Sequence, residues 1–269
     1  MSAVKTIRGV DAHAHVFSAQ APAVAGARYR PPYAAERNAW RSLWPGAGIT
    51  HGIVVQPGFF GADNREMLDT IASDPRHLRG VAVLPSGIDD ATLKRFHRTG
   101  VRAVRLNLRG ARDYLVYQSE AWRSYFDQVH AFGWHVECLV DTGRLRDIAP
   151  AFEGSPVNVL FDHFGAPGTS AAAVNSTFDS VRQLARTREV WCKFSAPHRL
   201  EGGDAREHAK RWHDAVGPSR LVWGSDWPWM GFENDVEYSA ARMRLAEWID
   251  PKLERLVLWD NAARLYGFE

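Results

Sequence analysis

Cysteine is scarce in this chain of 269 residues, with Cys138 and Cys192 the only two. Both lie in apolar, strand-like runs, so no disulfide framework is expected, only buried thiols in a reducing compartment. Long apolar runs are missing too. No stretch reaches the roughly 18 residues of a membrane span, and the opening MSAVKTIRGVDAH has no apolar signal core. The expectation is a cytoplasmic protein with no membrane partner. An excess of one charge is also lacking. The net charge is +2, which gives no overall basic field and makes nucleic acid an unexpected partner. Low-complexity segments, internal repeats and Pro/Gly/Ser-rich linkers are absent. With 45% of residues hydrophobic, a disordered or fibrous chain is excluded.

Lysine is sparse as well, 5 of the 33 basic residues. Base composition accounts for most of that bias, so only individually placed guanidinium groups, which pair carboxylates bidentately, bear on function. Tryptophan is abundant at 11 residues. Core packing takes most of them, and a pocket wall is expected to take some.

Short apolar runs alternate with segments of helical spacing. Strands are expected at Ile7–His13, Gly52–Gln56, Gly80–Leu84, Val101–Leu106, His135–Val140, Val157–Phe161, Val190–Phe194 and Leu221–Gly224. Helices are expected at Asn64–Ser73, Asp90–Arg98, Glu120–Phe132, Asp179–Arg188, Ala205–Val216 and Asp235–Ile249. Asp89 and Ser119 read as N-caps, and Gly100 and Gly133 as stops. Eight strands alternating with helices point to a parallel (β/α)8 TIM barrel, with residues 1–269 as one domain. Phe17 to Tyr33 reads as a long irregular connection carrying Pro22, Gly26, Pro31 and Pro32. A loop of that length is expected to serve as a lid that brings Tyr29, Arg30 or Tyr33 towards a ligand.

Barrel active sites lie at the C-terminal ends of the strands. Those ends carry His13 and His15, Gln56, Arg105 and Asn107, Asp162 and His163, His198 and Arg199, and Ser225 and Asp226. Positions i and i+2 of a strand share a face, so His13 and His15 are expected to point together into the mouth. Such a pair binds a divalent metal or grips a carbonyl or oxyanion. Asp226, ahead of Trp227-Pro228-Trp229, is placed to act as a general base on water. Gln56 and Arg105 join it as substrate-contacting candidates.

Five motifs occur in order: Asp11-Ala12-His13-Ala14-His15-Val16-Phe17; Val55-Gln56-Pro57 with Gly61-Ala62-Asp63-Asn64; Phe161-Asp162-His163-Phe164-Gly165; Trp223-Gly224-Ser225-Asp226-Trp227-Pro228; and Asn261-Ala262-Ala263-Arg264-Leu265-Tyr266. Together they resemble the amidohydrolase-related family of the amidohydrolase superfamily, nearest to the branch of 2-pyrone-4,6-dicarboxylate and sugar lactonases. The resemblance implies a barrel that hydrolyses small lactones. It implies that His13, His15 and His163 contact the carbonyl and ring, that Asp226 activates water, that Tyr29 and Arg105 touch substrate and that Arg199 holds a carboxylate. Gly58, Leu139 and Ala166 stand where that branch has serine, tyrosine and arginine, and Trp229 replaces a polar residue. A less polar pocket is therefore expected.

Strand four has no lysine, and strand five has no histidine at its C-terminal end, so a binuclear metal site of the superfamily type is not expected. No cofactor is required on this reading. One divalent ion such as zinc on His13, His15 and Asp226 is the alternative, with Glu137 either a further ligand or the partner of Arg105 or Lys193 in a buried ion pair. Other branches of the family decarboxylate or hydrate aromatic acids with zinc, and a non-catalytic small-molecule-binding barrel is the remaining rival. The sequence leaves a homo-oligomer open.

Overall fold

The computed structural model describes residues 8–20 and 23–269. Ile7 and Pro22 lie outside these. Eight strands form one sheet in chain order: β1 (Val10–Ala14), β2 (His51–Val55), β3 (Leu78–Ala82), β4 (Val101–Asn107), β5 (His135–Leu139), β6 (Asn158–Phe161), β7 (Val190–Phe194) and β8 (Leu221–Trp223). Each neighbouring pair is parallel. The barrel closes just past the strands, where His15 N donates to the Trp227 carbonyl (2.8 Å) and Asp226 N to the His13 carbonyl (2.9 Å). Gly224 permits that approach, because a Cβ there would stand 2.7 Å from the Cβ of His13. The architecture is the expected (β/α)8 barrel.

The strands read as unbroken apolar runs because both faces are covered. An inner cluster of Val10, Ala12, Ile53, Val55, Val81, Ala103, Leu160, Trp191 and Val222 is plugged at the N-terminal end by Ala262, Tyr266 and Phe268. The outer cluster lies between strands and helices. Asp89 caps the Asp90–Thr99 helix through Thr92 N as expected, whereas Ser119 donates its hydroxyl to the Val116 carbonyl (2.8 Å) and makes no side-chain cap. The helix expected at Asp179–Arg188 begins at Ala171, with Ser170 as its cap, and the one expected from Asp235 to Ile249 is reduced to Tyr238–Met243 and a following 3-10 turn. Among the described residues no helix is long and apolar enough to cross a membrane.

Candidate active site

A β-bulge shapes the site. In β1, Asp11 pairs with Gly52 and Ala14 with Val54, so three steps of one strand face two of the other. Such an extra residue re-aims side chains. Before it, Asp11 reaches the outer layer and accepts hydrogen bonds from Trp40 Nε1 (2.9 Å), Tyr238 Oη (2.9 Å) and Ser225 Oγ (2.6 Å). After it, His13 faces the barrel interior and meets Lys193 and Asp162. The His13 and His15 rings meet edge-on with centroids 4.9 Å apart.

A cavity of about 490 Å³ opens at the C-terminal mouth, a size typical of small-molecule sites. His15, His163, Asp226, Arg105, Arg199, Asn107 and Leu139 line it from the barrel, and residues 24–29 cover it from the loop after β1. Phe17 and Ala35 exchange two backbone hydrogen bonds (3.0 and 2.8 Å) at the base of this loop. Tyr29 and Tyr33 both donate to Glu233 Oε1 (3.1 and 2.7 Å), tying the loop to the segment after β8. Tyr29 borders the cavity, whereas Arg30 is spent on the Ala19 carbonyl.

Four guanidinium groups, those of Arg28, Arg105, Arg109 and Arg199, line the cavity against the single carboxylate of Asp226. Gly58 and Leu139, the apolar replacements noted in the sequence, line the same cavity. Arg28 and Arg109 sit on irregular segments whose direction the sequence pattern does not reveal. Asn107 also fills the space beside Gly58: a Cβ at 58 would lie 2.3 Å from its Nδ2. Gly58→Ser should therefore displace Asn107 and raise KM several-fold with little change in kcat or melting temperature. Steady-state kinetics beside a melt checks this, and an unchanged KM would make Asn107 irrelevant to recognition.

Asp226 has left-handed backbone (φ 62°), as does His163 (φ 53°), a conformation costing about 1–3 kcal/mol that is found where function demands it. Arg199 Nε donates to Asp226 Oδ2 (2.8 Å), leaving Oδ1 3.6 Å from His163 Nε2 and 3.8 Å from His13 Nε2. Burial pushes the Asp226 carboxyl up, but Arg199, His163, His198 and His13 more than offset this and hold it well below the usual carboxylate range. Burial pushes His163 and His15 well below the usual imidazole value, so both are neutral. Ser195 Oγ, absent from the sequence-based candidates, lies 2.8 Å from His163 Nδ1.

His13 itself is fully buried behind His15 and does not line the cavity. It rests on a charged network: Lys193 Nζ contacts Glu137 Oε2 (2.5 Å), Asp162 Oδ1 (3.2 Å) and His13 Nδ1 (3.2 Å). Glu137 also takes hydrogen bonds from Tyr266 Oη (2.6 Å) and His135 Nε2 (3.2 Å). Its place is in the ion pair, with Lys193.

Several expectations need correction. Gln56 does not line the cavity. Its Nε2 holds the carbonyls of Gly61 (3.1 Å) and Asp63 (2.8 Å), and its own carbonyl accepts from Arg105 Nη1 (3.1 Å). Strand parity could not foresee that its amide would staple the following turn. Among the described residues no tryptophan borders this cavity, whereas Trp223 and Trp248 line a smaller pocket beside His198; Trp229 donates to the Ser225 carbonyl (3.0 Å). Nor do His13, His15 and Asp226 form the metal-ligand set. The ligand atoms within 4.8 Å of one another belong to His13, His163 and Asp226, or deeper to His13, Glu137 and Asp162.

The amidohydrolase family model matches residues 10–268. A 2-pyrone-4,6-dicarboxylate hydrolase of Comamonas testosteroni is 30% identical, over 96% of this chain and 89% of its own. A 4-sulfomuconolactone hydrolase of Rhizobium radiobacter is 27% identical, over 96% and 89% respectively. The crystal structure of a probable 2-pyrone-4,6-dicarboxylic acid hydrolase from Acinetobacter baumannii, with citric acid bound, superposes with a TM-score of 0.87 at 28% identity, covering 97% of this chain and 99% of that one. The chain that builds this barrel and gathers these side chains at its mouth belongs to the amidohydrolase family.

Proposed function

We propose that the protein hydrolyses a small lactone bearing an acid group. The observation that carries this reading is the cavity's charge: four arginines surround one ionised aspartate. Guanidinium groups bind carboxylate or sulfonate oxygens in pairs and fix position as well as charge. The lactone hydrolases among the relatives, and the citric acid in the Acinetobacter structure, support the same substrate chemistry.

Arg199 makes no hydrogen bond through Nη1 among the described residues, so it can take a substrate carboxylate while keeping Asp226. Asp226 Oδ1 removes a proton from water as the oxygen attacks the lactone carbonyl carbon. The Asp226 carboxylate selects the His163 tautomer with its proton on Nε2, and the Ser195 hydroxyl then donates to Nδ1. That Nε2–H and Arg105, itself held by Asp162 (3.4 Å) and the Gln56 carbonyl, stabilise the tetrahedral oxyanion. The ring C–O bond breaks, and Asp226 returns its proton to the leaving oxygen. The product is an open-chain acid. His15 shapes the floor of the cavity, and His13 acts through it from below.

A divalent ion does not fit these residues. The donors His13, His163 and Asp226 have the right chemistry, but Arg105 and Arg199 already bring positive charge to the cavity, and Arg199 holds one oxygen of Asp226. No step is routed through a metal. Protein dialysed against chelator should therefore retain the activity of the undialysed protein when a panel of lactones with and without carboxylate groups is followed by proton release. Turnover confined to acid-bearing lactones supports the proposal. Loss of activity on chelation, restored by zinc, would replace it with a metal-dependent reaction.

A further inference from the structure

We propose that Lys193 keeps a metal ion out of the His13–His15 pair by holding the proton of His13 on Nε2. The argument is a chain of hydrogen bonds whose direction is set at both ends. His15 Nδ1 lies 2.8 Å from the Val55 carbonyl, and a carbonyl only accepts. The proton of neutral His15 is therefore on Nδ1, which leaves Nε2 bare. His13 Nε2 lies 3.3 Å from that bare nitrogen. Two lone pairs cannot face each other there without leaving buried acceptors unsatisfied, so His13 Nε2 must donate. Its Nδ1 is then an acceptor, and Lys193 Nζ lies 3.2 Å away with hydrogen-bond geometry.

From the other end the result is the same. Lys193 is fully buried; its ammonium donates to Glu137 Oε2 and faces His13 Nδ1 with hydrogen-bond geometry, and it is ion-paired with Asp162 Oδ1 at 3.2 Å. An ammonium donating to His13 Nδ1 disfavours a proton there.

The opposite tautomer has a partner waiting. Asp162 Oδ1 is 3.3 Å from His13 Nδ1 and, among the described residues, forms no hydrogen bond of good geometry. A proton moved to Nδ1 could be donated to it. Both Nε2 lone pairs would then face each other, the arrangement an ion needs from a His-x-His pair. The three groups around the ammonium are themselves oxygen and nitrogen donors within 4.8 Å of one another where His13, Glu137 and Asp162 meet. Lys193 thus stands as a resident cation and sets His13 against an outside one. It is a positioning residue, two layers from the cavity.

The test needs no substrate, so its outcome is separate from that of the lactonase reading. In protein labelled with ¹⁵N-histidine, long-range ¹H–¹⁵N spectra should show His13 protonated at Nε2 and His15 at Nδ1, with the His13 signals identified by their loss in His13→Gln. His13 protonated at Nδ1 in the unaltered protein overturns the proposal. Zinc affinity is the second measurement, by competition with a chromophoric chelator. The Lys193→Met/Glu137→Gln double variant removes cation and anion together. It should show the Nδ1–H tautomer and bind zinc about 10–100-fold more tightly than the unaltered protein, the worth of one charge-assisted hydrogen bond. Equal affinities overturn the idea. If the double variant does not fold, the spectrum of the unaltered protein still decides.

Discussion

Asp226→Asn should lower kcat by about 10²–10⁴-fold, the usual loss when a general base is removed, with KM changed far less. Asparagine keeps the shape and one acceptor oxygen but takes no proton at neutral pH. The backbone that positions residue 226 is unaffected, because its N–H is bonded to the His13 carbonyl whatever the side chain. The depressed pKa has a further consequence. Arg199 and the surrounding histidines outweigh the effect of burial and hold the carboxyl far down, so the group is ionised at neutral pH and is a weak base. On the proposed reading, a substrate acid group that shares Arg199 would loosen that hold and strengthen the base. The contribution of Asp226 to stability follows the same sign: it is present above the ordinary carboxylate range and lost as pH falls through the lowered value. Proton-release kinetics on the variant check the prediction. A rise in KM alone would make Asp226 a binding group rather than a base.

Glu137→Gln should destabilise the fold by about 3–5 kcal/mol, because it strips a buried ammonium of its nearest counter-ion. Glu137 is fully buried and ties β5 to Lys193 on β7 and to Tyr266 on the C-terminal helix that plugs the barrel. For a barrel of this size roughly 2–4 °C of melting temperature goes with each kcal/mol. A fall of about 6–20 °C is therefore expected in a thermal melt. The Lys193→Met/Glu137→Gln double variant should recover part of it, since a neutral pair leaves no unpaired charge. A single variant within 1 °C of the parent would mean that Asp162 alone compensates Lys193.

The eight strands were legible because a parallel strand covered on both faces is an apolar run with little else in it. Their C-terminal ends then pointed to His15, His163, Arg105, Arg199 and Asp226, all of which border one cavity. What could not be read is what happens off the regular repeat. The bulge after Asp11 sends His13 inward and under His15, where simple alternation puts both rings in the mouth. Arg28 comes from a loop with no period, and Gln56 spends its amide on a turn that only the folded chain creates. Ser195 carries no signal in a single sequence, since a serine after a strand is ordinary until a histidine from the end of the preceding strand is 2.8 Å away. The Ala171–Ala185 helix begins ahead of its expected start because Asn175, Ser176 and Thr177 interrupt the apolar spacing, and Thr177 is buried and donates to the Pro167 carbonyl.

The two backbone hydrogen bonds between Phe17 and Ala35 make the segment between them a cassette. Its ends meet at one fixed gate on the scaffold, and the further ties within it run from Ser18 to Glu66 and from Tyr29 and Tyr33 to Glu233. Closure entropy grows only slowly with length, about 0.6 kcal/mol for each doubling. Insertions, deletions or wholesale exchange of residues 18–34 should therefore leave the catalytic floor in place while changing which groups, Arg28 and Tyr29 among them, look down on the substrate. Diversification of this enzyme towards new substrates, by natural drift or in the laboratory, has a place to happen at the rim of the cavity, on a segment separate from the eight strands.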